Sequence, residues 1–163
     1  MRLEGKVAIV SGGGTGIGAA AARLFAREGA NVVVTGRRAE PLEEVAAETG
    51  CRVVAGDTAD DHHVREAVAA AVDAFGGLDI VVANAGLGFG GAAVDVDDER
   101  WDRTLDVNVT GAFRLVRAAL PALRIRERSK LTQSSDIAAR AVPLRRTRRQ
   151  RVNRSATPSV QRT

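Results

Sequence analysis

The segment VAIVSGGGTGIGAAAARLF, residues 7–25, constrains the fold more than any other. A β-branched apolar run, Lys6–Ser11, ends in glycines and passes directly into a helical pattern from Gly16, which suits a buried strand feeding a helix. The loop is not GxGxxG, because the sixth place from Gly12 is Ile17, and no Gly-Lys-Ser/Thr follows as a Walker loop requires. The spacing is Gly12-x-x-x-Gly16-x-Gly18. Gly12 suits a backbone shape that other residues resist. Gly16 permits close approach of a diphosphate, and Gly18 permits tight helix–sheet packing. A helix N-terminus then offers free N–H groups and partial positive charge to an anion, so dinucleotide binding is expected here.

Further buried strands are expected at Asn31–Gly36, Cys51–Gly56 and Leu78–Gly86, the last running into a glycine turn. Helices are expected between them. In the first, Ile17, Ala20, Ala21, Leu24 and Phe25 share one face, and Gly29 closes it. The second starts around Pro41 and ends before Gly50. The third carries Val64, Ala67, Val68, Ala71, Val72 and Phe75 at helical spacing. A helical region from about Asp98 bends near Val109–Gly111, and Phe113, Val116, Leu120 and Leu123 line one face of its later part. Pro121 kinks or ends it, and Lys130–Ser135 is a weak candidate for a fifth strand. Strands alternating with helices predict an α/β fold: a Rossmann-type doubly wound parallel sheet of four to five strands with right-handed crossovers. Residues 1–139 are expected to form this domain, in truncated form, and residues 140–163 a disordered, Arg-rich tail.

Charge divides at the same place. Residues 1–123 hold 12 Lys and Arg against 18 Asp and Glu, whereas residues 124–163 hold 12 against 2. The tail has six arginines between Arg145 and Arg154 but no aromatic residue after Arg140 to stack on bases. A solvated tail is therefore favoured over a nucleic-acid-binding arm. No apolar run approaches the ~18 residues of a membrane helix, and MRLEGKVAIVSGG is too short a signal. A soluble, cytoplasmic protein is expected. The lone Cys51 excludes an internal disulfide. No metal site is expected: His62 and His63, adjacent on a helix, make a poor metal pair and read as a solvated first turn. Asp97, Asp98, Glu99 and Asp102 read as helix N-terminal charges.

Four motifs, in order, carry a resemblance. SGGGTGIG resembles the TGxxxGIG loop of the short-chain dehydrogenase/reductase family, with Ser11 where threonine is usual. GDTAD, residues 56–60, resembles the acidic turn that holds the adenine. ANAG, residues 83–86, resembles NNAG, and VNVTG, residues 107–111, resembles NVxG. The resemblance spans roughly residues 4–123. It implies an oxidoreductase that reduces carbonyls or oxidises alcohols with a nicotinamide cofactor. Gly12, Gly14, Thr15, Gly16, Ile17 and Gly18 would hold the diphosphate, Asp57 and Thr58 the adenine, and Asn84, Ala85 and Gly86 would line the cofactor. Where NAD-binding folds place an acid after the second strand, this chain has Gly36 followed by Arg37 and Arg38. That favours NADP(H) over NAD(H). The resemblance also implies docking of a second subunit on the helix around Phe113–Leu123.

The family's chemistry uses Asn, Ser, Tyr and Lys. Asn108 matches the Asn, and Ser135, with Ser134 as fallback, matches the Ser. The Tyr-x-x-x-Lys motif would fall near Arg148 and Arg149, yet the chain contains no tyrosine, and its only lysines are Lys6 and Lys130. Arginine cannot donate the proton that the phenol gives. Catalysis is therefore expected to be impaired or absent, leaving a non-catalytic dinucleotide-binding module as the alternative. A shifted reading frame is one origin for such a tail.

Overall fold

The computed structural model describes residues 1–123 and the backbone of residues 130–133. Five parallel strands form one sheet in the order β3-β2-β1-β4-β5. They are β1 (Val7–Ser11), β2 (Asn31–Gly36), β3 (Arg52–Ala55), β4 (Ile80–Ala83) and β5 (Lys130–Gln133). The helices are α1 (Gly16–Arg27), α2 (Ala39–Thr49), α3 (Asp61–Phe75), α4 (Asp98–Leu105) and α5 (Ala112–Ala119). A 3₁₀ turn spans Ala93–Asp95, and a π-helical segment, Asp106–Gly111, joins α4 to α5. The expected bend near Val109–Gly111 is thus a π segment that keeps the chain helical while shifting its faces. The expected doubly wound sheet is present. The proposed boundary at residues 139 and 140, and the tail, lie outside the described residues.

β1, β2 and β4 are buried on both faces, as near-continuous apolar strands of a parallel sheet are. Side chains of odd and even positions still separate by face. Val7 and Ile9 of β1 and Val33 of β2 pack with Val64, Ala67, Ala71, Leu115 and Ala119 of α3 and α5. Val10, Val32 and Val34 face the other way, with Ala19, Ala22, Leu42 and Val45 of α1 and α2. Removing a side chain such as Leu115, fully buried, costs about 2–5 kcal/mol.

Helix faces depart from the periodicity expected. In α1 the buried positions are Gly18, Ala19 and Ala22, while Ile17 is 73% exposed and Leu24 is also exposed. Small residues let the helix lie close on the sheet, so the bulkier stripe turns outward. In α5, Leu115 and Ala119 are buried, whereas Phe113 and Leu120 are exposed. Leu123, expected on the same face as Phe113 and Leu120, is instead buried past the helix, where it bridges to Leu78.

The α3 start also differs from the solvated turn expected. Asp60 caps the helix, accepting from the His62 N–H at 2.8 Å. His62 is exposed, but His63 is only 5% exposed. Its Nε2 lies 2.5 Å from the buried Thr35 Oγ1 at the end of β2. Its ring fills the space that a Cβ on Gly56 would need. His63 therefore braces the carboxyl ends of β2 and β3 against α3.

Burial pushes the His63 imidazole below its usual 6.5, against the opposing pull of Glu66, Asp60 and Asp57. As pH falls below 6.5, the unfolded chain takes up this proton before the folded one does. Stability contributed by neutral His63 is complete above that pH and declines below it. The urea midpoint is expected to drop between about pH 7.5 and about pH 5.5, above the range where carboxylates titrate. His63→Gln should flatten the decline in that interval.

Candidate functional site

A cleft of about 510 Å³ opens outside the carboxyl ends of β1, β2 and β4. This is where strand order reverses, since β1 lies between β2 and β4, and loops there diverge to leave room for a ligand. Gly12, Gly14 and Thr15 form its floor. Gly36, Arg37 and Arg38 form one rim, and Asp57 and Thr58 lie beyond it. Ala85, Gly86, Leu87 and Val107 close the opposite side.

The floor is held by close backbone approach. Gly12 has φ +65°, and a Cβ there would meet Asn84 Nδ2 at 2.9 Å. A Cβ on Gly18 would be driven into the Gly12 carbonyl. Gly18 is thus the contact that seats α1 under its loop. Gly16, by contrast, has no heavy atom within 4 Å of where its Cβ would be. Thr15 caps α1 without a side-chain bond, and no acid occupies the first turn. The helix N-terminus therefore keeps donors and partial positive charge available for an anion. These features fit a diphosphate.

One hydroxyl ties the floor to the far wall. Ser11 Oγ, fully buried, accepts from the N–H groups of Asn84 and Ala85, each at 3.0 Å, and donates to the Val82 carbonyl at 3.3 Å. The Asn84 amide donates to Ser11 O at 2.9 Å and to Gly12 O at 3.3 Å. Asn84 thus works behind the cleft surface, holding the loop, while Ala85 and Gly86 line it. Ser11 is a positioning residue that the motif comparison noted only as a departure from threonine.

On the rim, Arg37 and Arg38 are exposed, and neither pairs with a carboxylate among the described residues. Asp57 is firmly held. Its Oδ1 accepts from the Ala59 N–H at 2.9 Å, and its Oδ2 accepts from Arg103 Nη2 of α4. Burial pushes its carboxyl up, but the Ala59 N–H, the Arg103 bond and the charges of Arg103 and Arg37 outweigh this and leave it below the usual range. Asp57 is thus ionised and oriented at neutral pH, bonded in a turn ahead of the α3 cap at Asp60.

Asn108 sits in the π segment. Its Oδ1 accepts from the Leu87 N–H and its Nδ2 donates to the Leu87 carbonyl, both at 2.8 Å. This two-point grip fixes the wall after β4, and Gly86 leaves the space for it, since a Cβ there would come within 3.2 Å of Oδ1. Gly12, Gly14, Thr15, Arg37, Arg38, Asp57, Thr58, Ala85 and Gly86 all line one cleft. Gly16, Gly18, Asn84 and Asn108 support it from the same loops, whereas Ile17 projects to solvent. Ser134 and Ser135 lie outside the described residues. Leu87 and Arg103 join the site without having been singled out in the sequence, and Val107 joins it as the first residue of the NVxG-like segment; for Arg103 the signal is a basic residue on the helix turn preceding that segment. Among the described residues no cluster of three or more His, Cys, Asp or Glu could hold a metal, and no helix is long and apolar enough to cross a membrane.

Comparison with known proteins agrees with this geometry. A short chain dehydrogenase family model matches residues 6–142. An uncharacterized oxidoreductase of Staphylococcus aureus is 40% identical over 124 residues, covering 74% of this chain and 54% of that protein. One from Staphylococcus epidermidis is 36% identical, covering 75% and 54%. The chain thus spans about half the length of these curated relatives. A short-chain dehydrogenase/reductase (glucose/ribitol dehydrogenase) from Brucella melitensis superposes with TM-score 0.77 at 33% identity, covering 82% of this chain and 57% of that one. A short chain dehydrogenase from Burkholderia cenocepacia in complex with NADP gives 0.71 at 43% identity, covering 76% and 53%. A 3-ketoacyl-(acyl-carrier-protein) reductase from Brucella melitensis complexed with NADH gives 0.72 at 41% identity, covering 74% and 51%. With the glycine loop, the Asp57 turn, the wall after β4 and the π segment assembled around one cleft, this chain belongs to the short-chain dehydrogenase/reductase family.

Proposed function

We propose that the cleft binds NADP(H) and that the chain is the cofactor-binding part of an oxidoreductase acting on carbonyl or alcohol groups, with little or no turnover of its own. The observation that carries this reading is the pairing of an open, acid-free helix N-terminus with two rim arginines that make no ion pair among the described residues. The solved relatives include one with NADP and one with NADH, and the rim chemistry of this chain supports the first of the two. Gly36 brings no carboxylate to repel a 2′-phosphate, and Arg37 and Arg38 supply charge and forked donors for it. The α1 amides take the diphosphate, and Asp57 accepts from the adenine amino group while the Thr58 main chain faces the ring. Bound there, the nicotinamide would give or accept a hydride.

What this chain does for the second half of such a reaction is limited. Asn108 holds the Leu87 backbone, and Ser135 is proposed to hydrogen-bond the substrate oxygen. Within these 163 residues there is no phenol to move the proton at that oxygen. Loss of a general acid lowers rates by roughly 10²–10⁴. A soluble, cytoplasmic setting and a second subunit on the exposed Phe113 and Leu120 face complete the reading.

Calorimetric titration tests the binding. NADPH is expected to bind in the micromolar range and NADH at least about tenfold more weakly, a difference of about 1.4 kcal/mol. Replacing both Arg37 and Arg38 by Ser should remove that preference and leave NADH affinity within about twofold. Gly36→Asp should reverse it, by setting a carboxylate where a ribose hydroxyl would sit. Absence of binding for both dinucleotides would refute the reading.

Turnover is tested separately. NADPH oxidation with a panel of small aldehydes and ketones is expected to stay at the level of buffer. A kcat on the order of 1 s⁻¹ with any of them would show that the chain carries a proton donor other than tyrosine.

A further inference from the structure

The turn that carries Asp57 is gripped from one side by the α4–π–α5 unit. Arg103 Nη2 donates to Asp57 Oδ2, and Arg114 Nη1 donates to the Ala59 carbonyl. Asp106, in the π segment, links the two arginines: its Oδ1 lies 3.2 Å from Arg114 Nη1 and its Oδ2 lies 3.7 Å from Arg103 Nη1. Gly111, which ends the π segment, packs directly on the turn, where a Cβ would come within 3.2 Å of the Thr58 carbonyl. Two of the motifs noted in the sequence, residues 56–60 and 107–111, therefore meet back to back.

A carboxylate can accept from a ligand in one geometry only if its plane is fixed. The Ala59 N–H alone fixes one oxygen and leaves the group free to swing about that bond. Arg103 fixes the other oxygen. Both partners are partly shielded, with side-chain exposures of 34% for Arg103 and 30% for Asp57, so the pair is better placed than a more solvated one such as Arg100 with Asp97. Asp57 itself lines the cleft.

We propose that Arg103 is a positioning residue that fixes the Asp57 carboxylate to read the 6-amino group of adenine, so that selection for adenine over a 6-oxo purine is set from α4 rather than by the cleft residues alone. This rests on the cleft being a dinucleotide site. An adenine amino group donates to the fixed carboxylate. A hypoxanthine ring presents a carbonyl oxygen at the same place, leaving acceptor against acceptor. Arg103 itself has no atom that could substitute for the carboxylate, since it only donates.

The full 163-residue chain is titrated with NADPH and with its hypoxanthine analogue, in which the 6-amino group is replaced by oxygen. The unmodified chain is expected to bind NADPH about tenfold more tightly than the analogue, as for one hydrogen bond to a charged group. In Arg103→Gln that ratio should fall to within about twofold of unity, mainly through weaker NADPH binding, with affinity for the analogue nearly unchanged. Arg117→Gln serves as the control. Arg117 lies on α5 and pairs with Asp61 outside the cleft, so its loss perturbs the same helices without touching Asp57. Its ratio should match that of the unmodified chain.

The proposal is overturned if Arg103→Gln keeps the tenfold ratio, if it raises the ratio, or if Arg117→Gln lowers it equally. An unmodified chain that binds both ligands alike also overturns it, while leaving dinucleotide binding intact. Failure to bind either ligand instead removes the reading on which it rests. Should Arg103→Gln not fold, as judged by circular dichroism, Arg103→Lys provides the same discrimination. Lysine keeps the charge but loses the planar fork, so the ratio should fall part of the way, and an unchanged ratio counts against the proposal.

Discussion

The parallel pairing of β1 with β2 on one side and β4 on the other is the constraint from which the site follows. The order in which strands are added reverses at β1, so the loops after β1 and β4 part and open the cleft. What keeps that opening from closing or drifting is the Ser11 hydroxyl with the Asn84 amide. Together they join the end of β1 to the end of β4 through five hydrogen bonds, all at or below 3.3 Å. Polar groups buried at a strand end must find partners inside the protein, and here the partners are the backbone of the neighbouring motif. The satisfied network gives the glycine loop a rigid edge to stand on.

Ion pairs are numerous in this chain, but they do not contribute equally. Arg2 with Glu28 and Arg23 with Glu48 are largely solvated and add little to stability. The stabilising term is apolar: two layers of valine, alanine and leucine packed on the faces of the sheet. The arginines of α4 and α5 matter for position instead. They bind acceptors in the turn between β3 and α3, so the Asp57 end of the cleft is tied to a helical unit that is far along the chain. The π segment makes that possible, since it directs Asn108 to Leu87 and Gly111 to Thr58 from adjacent turns.

Much of this was legible in the sequence. β2 was placed to the residue because its valines are bounded by a polar residue and a glycine, and α3 was recognised, without its bounds, because its apolar spacing is sustained over four turns. The departures have physical reasons. Ile17 and Leu24 outnumber the alanines in bulk, so the hydrophobic stripe of α1 pointed to the wrong face; the sheet selects the small residues because they allow close approach. His63 read as solvated beside His62, since nothing local shows that Gly56, seven residues earlier, leaves a space of ring size beneath it. Asn84 belonged to a recognisable motif, yet its side chain turns back toward Ser11, which only the juxtaposition of two strand ends could establish.

The sequence by itself determined the alternation of strands and helices, the glycine positions that α1 needs, the basic rim after β2 and the absence of tyrosine from these 163 residues. Each of these is local: it depends on periodicity, on an absent Cβ or on side-chain identity. The tertiary structure alone decided which groups share the cleft, that Asn108 is used on a backbone and that Arg103 faces Asp57 across 46 residues of chain. Those facts depend on how the α4–π–α5 unit packs against the sheet. Such packing is a sum over many weak contacts between distant segments, and no stretch of the sequence contains it.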